Sequence, residues 1–169
     1  LIGGVDRPTS GKVYVNDTDI FSMNDDELAI FRRRQVGIIY QFYNLIPILN
    51  GQENIEIPLE LDGRNADKKE MDEMLERLGL TQRRTHLPNE LSGGQQQRTS
   101  IGRALITRPS LVLADEPTGN LDTKSSSEIM NLLKRSNHEL DQTIIMITHN
   151  MELAKAADRI IMIEDGKIK

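Results

Sequence analysis

Apolar and polar positions change period several times along the chain, and each change predicts an element. Asp6-Arg7-Pro8-Thr9-Ser10-Gly11 is turn chemistry, since Pro fixes φ and Gly permits positive φ. Lys12 to Asn16 (KVYVN) alternates and predicts a short strand. Asn24-Asp25-Asp26-Glu27 has the layout of a helix start: Asn24 caps, and Glu27 three residues on completes a capping box. That helix is expected to end in Arg32-Arg33-Arg34, where cations suit the C-terminal dipole. Val36 to Tyr40 (VGIIY) is a continuous apolar run of buried-strand type. Met71, Met74, Leu75 and Leu78 fall on one face of a helix stopped by Gly79. Their stripe reads as ordinary core or, alternatively, as a Met-rich partner groove. A further helix is expected from about Gly94 to Thr107, ended by Pro109. Strand and helix then alternate. Leu111 to Ala114 predicts a strand, a helix opened by Asp122 carries Ile129, Leu132, Leu133 and Leu140, and Thr143 to Thr148 predicts another strand. Met151 to Ala157 predicts a short helix, Ile160 to Ile163 a last strand, and Asp165-Gly166 a tight turn. Apolar strands alternating with helices imply an α/β fold with a largely parallel sheet.

Composition narrows the classes that this pattern leaves. The 169 residues suit one domain, read as 1–169, and 37% hydrophobic with 28% charged residues suits a globular core. No apolar run approaches the roughly 18–20 residues of a membrane span. No basic start followed by an apolar stretch opens the chain, so no signal peptide is expected. The absence of cysteine excludes disulfides and thiolate metal sites and fits a reducing compartment. A net charge of −5 argues against non-specific nucleic-acid binding, so no nucleic-acid partner is expected.

Chemistry concentrates at a few junctions. Leu91-Ser92-Gly93-Gly94-Gln95 is a Gly-rich turn running into a helix. Two glycines let backbone N–H groups approach a ligand, the helix start adds partial positive charge, and the Ser92 hydroxyl can donate: an anion site, most naturally for phosphate. Ser-Gly-Gly alone reads as a flexible linker, and only the whole pentapeptide in context goes further. Leu111-Val-Leu-Ala-Asp115-Glu116-Pro117 is an apolar strand ending in two carboxylates, where parallel sheets bind ligands. Asp115 is placed to hold Mg²⁺ and Glu116 to polarise an attacking water; alone, the pair reads equally as an acidic strand exit. Thr148-His149-Asn150 ends another apolar strand. His149 there suits a γ-phosphate contact or the orientation of base and water, whereas a lone strand-end His is commonly a solvated loop residue, the reading given to His86 and His138. Gln41 follows VGIIY and offers an amide to a Mg²⁺-associated water.

Together these stretches resemble the ATP-binding domain of ABC transporters over essentially the whole chain. LSGGQ with QQR after it is similar to the family signature, LVLADEP to Walker B, GNLD at Gly119–Asp122 to the D-loop, Thr148-His149 to the H-switch, and Gln41 in YQFYNLIP to the Q-loop. DRPTSG, QFYNLIP, LADEPTGNLD and the MITHN–IEDG ending resemble the macrolide-export, lipoprotein-release and antimicrobial-peptide exporter branch. PLELDG and the last segment are most like bacitracin-type peptide-resistance ATPases. The resemblance implies a P-loop NTPase-like fold with helices on both faces of the sheet and a helical subdomain at about residues 44–91. It implies ATP and Mg²⁺ as cofactors, with Asp115 and Gln41 serving the metal, and Glu116 and His149 as the catalytic residues. Ser92, Gly93, Gly94 and Gln95 would contact ATP held by a second ATP-binding domain in a head-to-tail dimer, with Asp122 at the interface. The other partner would be a transmembrane permease, which places the protein at the cytoplasmic face of the plasma membrane. Efflux of an antimicrobial peptide, macrolide or lipoprotein-like substrate is the expected function.

One motif departs from the family. No G-x-x-x-x-G-K-[ST] occurs, and neither Gly3-Gly4 nor Ser10-Gly11-Lys12 replaces it. Leu1-Ile2-Gly3-Gly4 resembles the end of the helix that follows this Walker A loop. The chain is therefore expected to lack an N-terminal portion with the first strands and the Walker A helix, and the 169 residues alone are not expected to show full ATPase activity. Two other readings are an ABC-type ATPase of DNA repair or chromosome structure and a non-catalytic permease-docking module. The first carries a long insertion between Q-loop and signature, and here that interval holds only a compact helical subdomain.

Overall fold

A computed structural model describes residues 1–169. Its centre is a three-stranded parallel sheet in the order β3-β4-β5: β3 is Val36–Ile39, β4 is Leu111–Asp115 and β5 is Thr143–Ile147. Ile39 pairs with Ala114 and Asp115 with Ile147, so the three strands end on one edge. Before them, β1 (Tyr14–Val15) and β2 (Thr18–Asp19) form a small antiparallel hairpin. Its turn residues Asn16 and Asp17 both adopt positive φ, the twist that suits a two-residue hairpin. The KVYVN strand is thus shorter than its alternation predicts.

Helix α1 (Asp25–Gln35) starts on the expected Asn24/Glu27 capping box and ends on the three arginines. α2 (Gly51–Glu60) and α3 (Lys68–Arg77) follow β3, and α4 (Gly93–Leu105) precedes β4. α5 (Thr123–Leu140) links β4 to β5, and α6 (Met151–Ala154) is a single turn, shorter than the predicted helix. α4 lies against β3 at close range: a Cβ on Gly37 would stand 2.4 Å from the carbonyl oxygen of Ala104. The same helix meets the α2–α3 region at Gly102, where a Cβ would come 2.6 Å from Leu78 Cδ1 and 3.0 Å from Ile55. Met71, Leu75 and Leu78 are buried and Met74 is packed against the core, so the methionine stripe is core. That core runs from Ile39, Val112 and Ala114 of the sheet through Ile101 and Leu105 of α4 to Ile55 and Leu59 of α2 and Ile129 and Leu133 of α5.

The predicted strand Ile160–Ile163 is corrected. Only Ile163–Glu164 is extended, as β6, and it pairs antiparallel with β7 (Lys167–Ile168) instead of joining the parallel sheet. Asp165 and Gly166 both take positive φ, and this tight turn hands the run a local partner. Ile160, Ile161, Met162 and Ile163 are exposed. No helix is long and apolar enough to cross a membrane.

Candidate functional site

Because β3, β4 and β5 run parallel, the polar residues that follow them gather on one edge, where open α/β sheets take ligands. Gln41 lies two residues past β3, Asp115 ends β4, Glu116 follows it, and Thr148 and His149 follow β5. Side chains join the last two strand ends directly. Glu116 Oε1 accepts from the His149 backbone N–H at 2.7 Å and lies 2.6 Å from His149 Nδ1. Glu116 Oε2 accepts from the Thr148 hydroxyl at 3.1 Å. An ionised carboxylate only accepts, so Nδ1 carries the proton and Nε2 is the nitrogen left for a ligand. Burial raises the Glu116 pKa, but the donors from His149 and Thr148 outweigh it, and the net shift is below the ordinary carboxylate value. Glu116 is also held at φ 41°, a left-handed conformation that is costly for a residue with a Cβ and recurs at functional sites.

Asp115 is exposed, and no hydrogen bond or ion pair engages its carboxylate. Gln41 is held from the segment after Glu116: Asn120 Nδ2 donates to the Gln41 carbonyl at 3.0 Å, and a Cβ on Gly119 would stand 2.9 Å from Gln41 Nε2. No group of three His, Cys, Asp or Glu residues could hold a metal unaided. Asp115 and Gln41 each offer oxygen donors, and the Asp115 carboxylate is unengaged; Mg²⁺ takes one or two protein oxygens and completes its octahedron with water and phosphate oxygens. The donor chemistry of Asp115 and Gln41 therefore fits that ion.

Ser92 caps α4 through a full capping box. Its Oγ accepts from Gln95 N–H at 3.3 Å, and Gln95 Oε1 accepts from Ser92 N–H at 2.9 Å. The Ser92 hydroxyl proton stays free to donate. Gly93 and Gly94, the first two residues of the helix, have N–H groups without an intrahelical acceptor. A Cβ on Gly93 would come 3.0 Å from the Tyr43 hydroxyl and one on Gly94 3.2 Å from Ser125 Oγ, so larger residues there would have to displace these side chains. No hydrogen bond links Ser92 or Gln95 to Glu116 or His149 within the chain. Asp122 caps α5, accepting from Ser125 N–H at 3.0 Å and Ser125 Oγ at 2.7 Å, and these bonds lower its pKa.

Three contributors escape a reading of the sequence. Arg103, near the end of α4, donates to the carbonyls of Asn44 (2.6 Å) and Tyr43 (2.8 Å). Both of those residues have positive φ, so the Arg clamps the bend just after Gln41. Asn54, fully buried in α2, fastens the loop that leads into its own helix through Ile46 N–H and the carbonyls of Ile46 and Leu49. Gln97 reaches from α4 to the Pro117 carbonyl. Each is a polar residue inside a helix, and its sequence neighbours do not reveal what it faces.

Comparison with known proteins shows the family of the chain. The family model described as ABC transporter matches residues 1–119. An ABC transporter ATP-binding protein of Thermotoga maritima is 45% identical over 171 residues, covering 100% of this chain and 73% of that protein. The lipoprotein-releasing system ATP-binding protein LolD of Coxiella burnetii is 40% identical over 172 residues, covering 100% of this chain and 74% of that protein. The macrolide export ATP-binding/permease protein MacB of Brucella melitensis is 46% identical over 170 residues, covering 99% of this chain and 26% of that longer protein. Among solved structures, the ATP-binding cassette MJ0796 of Methanocaldococcus jannaschii, a dimer bound to ADP and Pi, superposes with a TM-score of 0.88 at 41% identity, covering 99% of this chain and 75% of that one. This chain belongs to the ABC transporter family, as an ATP-binding domain of the branch that includes the lipoprotein-releasing and macrolide-export ATPases.

Proposed function

We propose that these residues form the hydrolytic edge and the partner-facing helix of an ATPase that powers export through a separate permease. The observation that carries this reading is the Glu116 carboxylate at the β4 end, bonded to His149 and Thr148 at the β5 end. Kept ionised by its donors, Glu116 orients a water and accepts its proton as that water attacks the γ-phosphorus. His149, fixed by Glu116 through Nδ1, presents Nε2 toward the γ-phosphate. Asp115 and Gln41 would hold Mg²⁺, which supplies charge neutralisation to the phosphates when bound.

The free N–H groups of Gly93 and Gly94 and the Ser92 hydroxyl suit phosphate oxygens, and Gln95 stands beside them. Their free donors find no anion within the chain, which suits a composite site in which they meet ATP held by a second domain in a head-to-tail dimer with Asp122 at the interface. The dimeric cassettes among the similar structures support pairing with a second ATP-binding domain. The signatures shared with the export branch favour an antimicrobial peptide, macrolide or lipoprotein-like substrate, with the ATPase at the cytoplasmic face of the membrane. Residues 44–91, with α2 and α3, are the segment proposed as the helical subdomain within 1–169. Exposed Phe42 and Ile48 in its leading loop suit an apolar permease contact.

The test uses a cassette that carries these residues together with a G-x-x-x-x-G-K-[ST] loop, supplied by joining the leading segment of a close relative ahead of Leu1. In it, His149→Ala lowers kcat by roughly 10²-fold or more while nucleotide affinity holds. Unchanged kcat would contradict the reading.

A further inference from the structure

Gln97 lies one turn inside α4, beyond the two glycines, with 0% of its surface exposed. Its Nε2 donates to the carbonyl oxygen of Pro117 at 2.7 Å. Its Oε1 is buried without any hydrogen-bond partner. An apolar side chain of the same size would avoid that unpaired oxygen, so the retained amide calls for a specific reason. The reason lies in what it holds. Pro117 directly follows Glu116, whose φ of 41° must be imposed by its surroundings. Two bonds at the sheet edge help impose it: Glu116 N–H to Ile147 O and Gly119 N–H to Glu116 O, both 3.0 Å. The third, from Gln97, is the one that comes from α4, the helix whose first N–H groups are free for a ligand.

We propose that Gln97 is a positioning residue that ties the N-terminus of α4 to the backbone beneath Glu116, so that engagement of a ligand at Ser92–Gln95 sets the aim of the Glu116 carboxylate. The inference rests on the reading of Glu116 as the base. Gln97 lies on α4 one turn from Ser92, and the helix packs closely on the sheet and α2 at Gly37 and Gly102, so a shift at its start carries Gln97 with it. The turn follows through the Pro117 carbonyl. Glu116 moves relative to His149 and Thr148, which are anchored on β5.

Gln97→Met keeps the length and removes the donor. In the 169-residue chain, hydrogen exchange at the Gly119 amide should rise by about tenfold while exchange in β3 and β4 stays within about twofold. In the cassette that carries the G-x-x-x-x-G-K-[ST] loop, kcat should fall roughly tenfold to a hundredfold with KM for ATP held within about twofold. Gln97→Leu serves in the same way where Met does not fold. An unchanged Gly119 amide, or a rise in KM without a fall in kcat, would overturn the link. Glu116→Gln measured alongside separates the two claims. If it abolishes turnover while Gln97→Met leaves kcat intact, the Gln97 link alone fails. If Glu116→Gln itself leaves turnover intact, the reading of Glu116 fails and the link goes with it.

Discussion

At Glu116 the environment works in two directions at once. Partial burial pushes its carboxyl toward the neutral form, and the His149 backbone, the His149 ring and the Thr148 hydroxyl all favour the charged form and win. Removing one donor must therefore raise its pKa. Thr148→Val is expected to move the acid limb of the turnover–pH profile upward, with the plateau rate near neutral pH little changed. A limb that stays in place or moves down would contradict the assigned bond. Glu116 and His149 were legible in the sequence because each ends an apolar run, and a polar residue at the end of a buried strand points to the ligand edge. Gln97 was not legible. Within Gln95-Gln96-Gln97-Arg98 nothing marks the third residue as buried, since its environment comes from the loop after β4, distant in sequence.

Among the elements, α1 and α4 do more than fill the core. Arg103 of α4 holds the bend at Tyr43 and Asn44, and burial lowers its pKa. Arg103→Met leaves two carbonyls without their donor and should destabilise the fold by about 1–3 kcal/mol in urea unfolding. α1 is fastened at its end to the segment after α2. Arg33 and Arg34 both pair with Asp62, whose side chain is only 4% exposed, and Arg33 also donates to Leu61 O. The hydrogen bond from Arg34 leads in lowering the Asp62 pKa, despite burial. A depressed carboxylate contributes stability in full above its unfolded pKa near 4, and loses it as pH falls through the lower folded value. The melting temperature of Asp62→Asn should therefore lie below that of the parent by a constant amount above about pH 5, and the gap should close as pH falls below about 4. A gap independent of pH would exclude the ion pairs as its source. The capping box made the helix start readable at Asn24, whereas the Ser92–Gln95 box of α4 emerges only in the structure, the sequence marking that start by its Gly-rich turn. The Ile160–Ile163 run misled because an apolar pattern specifies extension but not the partner, and the Asp165-Gly166 turn supplied one locally.

For the molecule as a whole, one core connects the sheet to α2, α3 and α4, and Leu75 sits fully buried within it. Leu75→Ala is expected to cost about 2–5 kcal/mol of stability in urea unfolding. The parallel order of β3, β4 and β5 then brings Gln41, Asp115, Glu116 and His149 to one edge, and α4 starts with free N–H groups at Gly93 and Gly94. The central claim is that Glu116 carries hydrolysis and not binding. Glu116→Gln, in a cassette that also contains the G-x-x-x-x-G-K-[ST] loop, tests it through nucleotide affinity and turnover measured on the same preparation. ATP affinity should stay within about threefold of the parent, and turnover should fall by roughly 10²–10⁴-fold. Turnover near the parental rate, with ATP still bound, would contradict it.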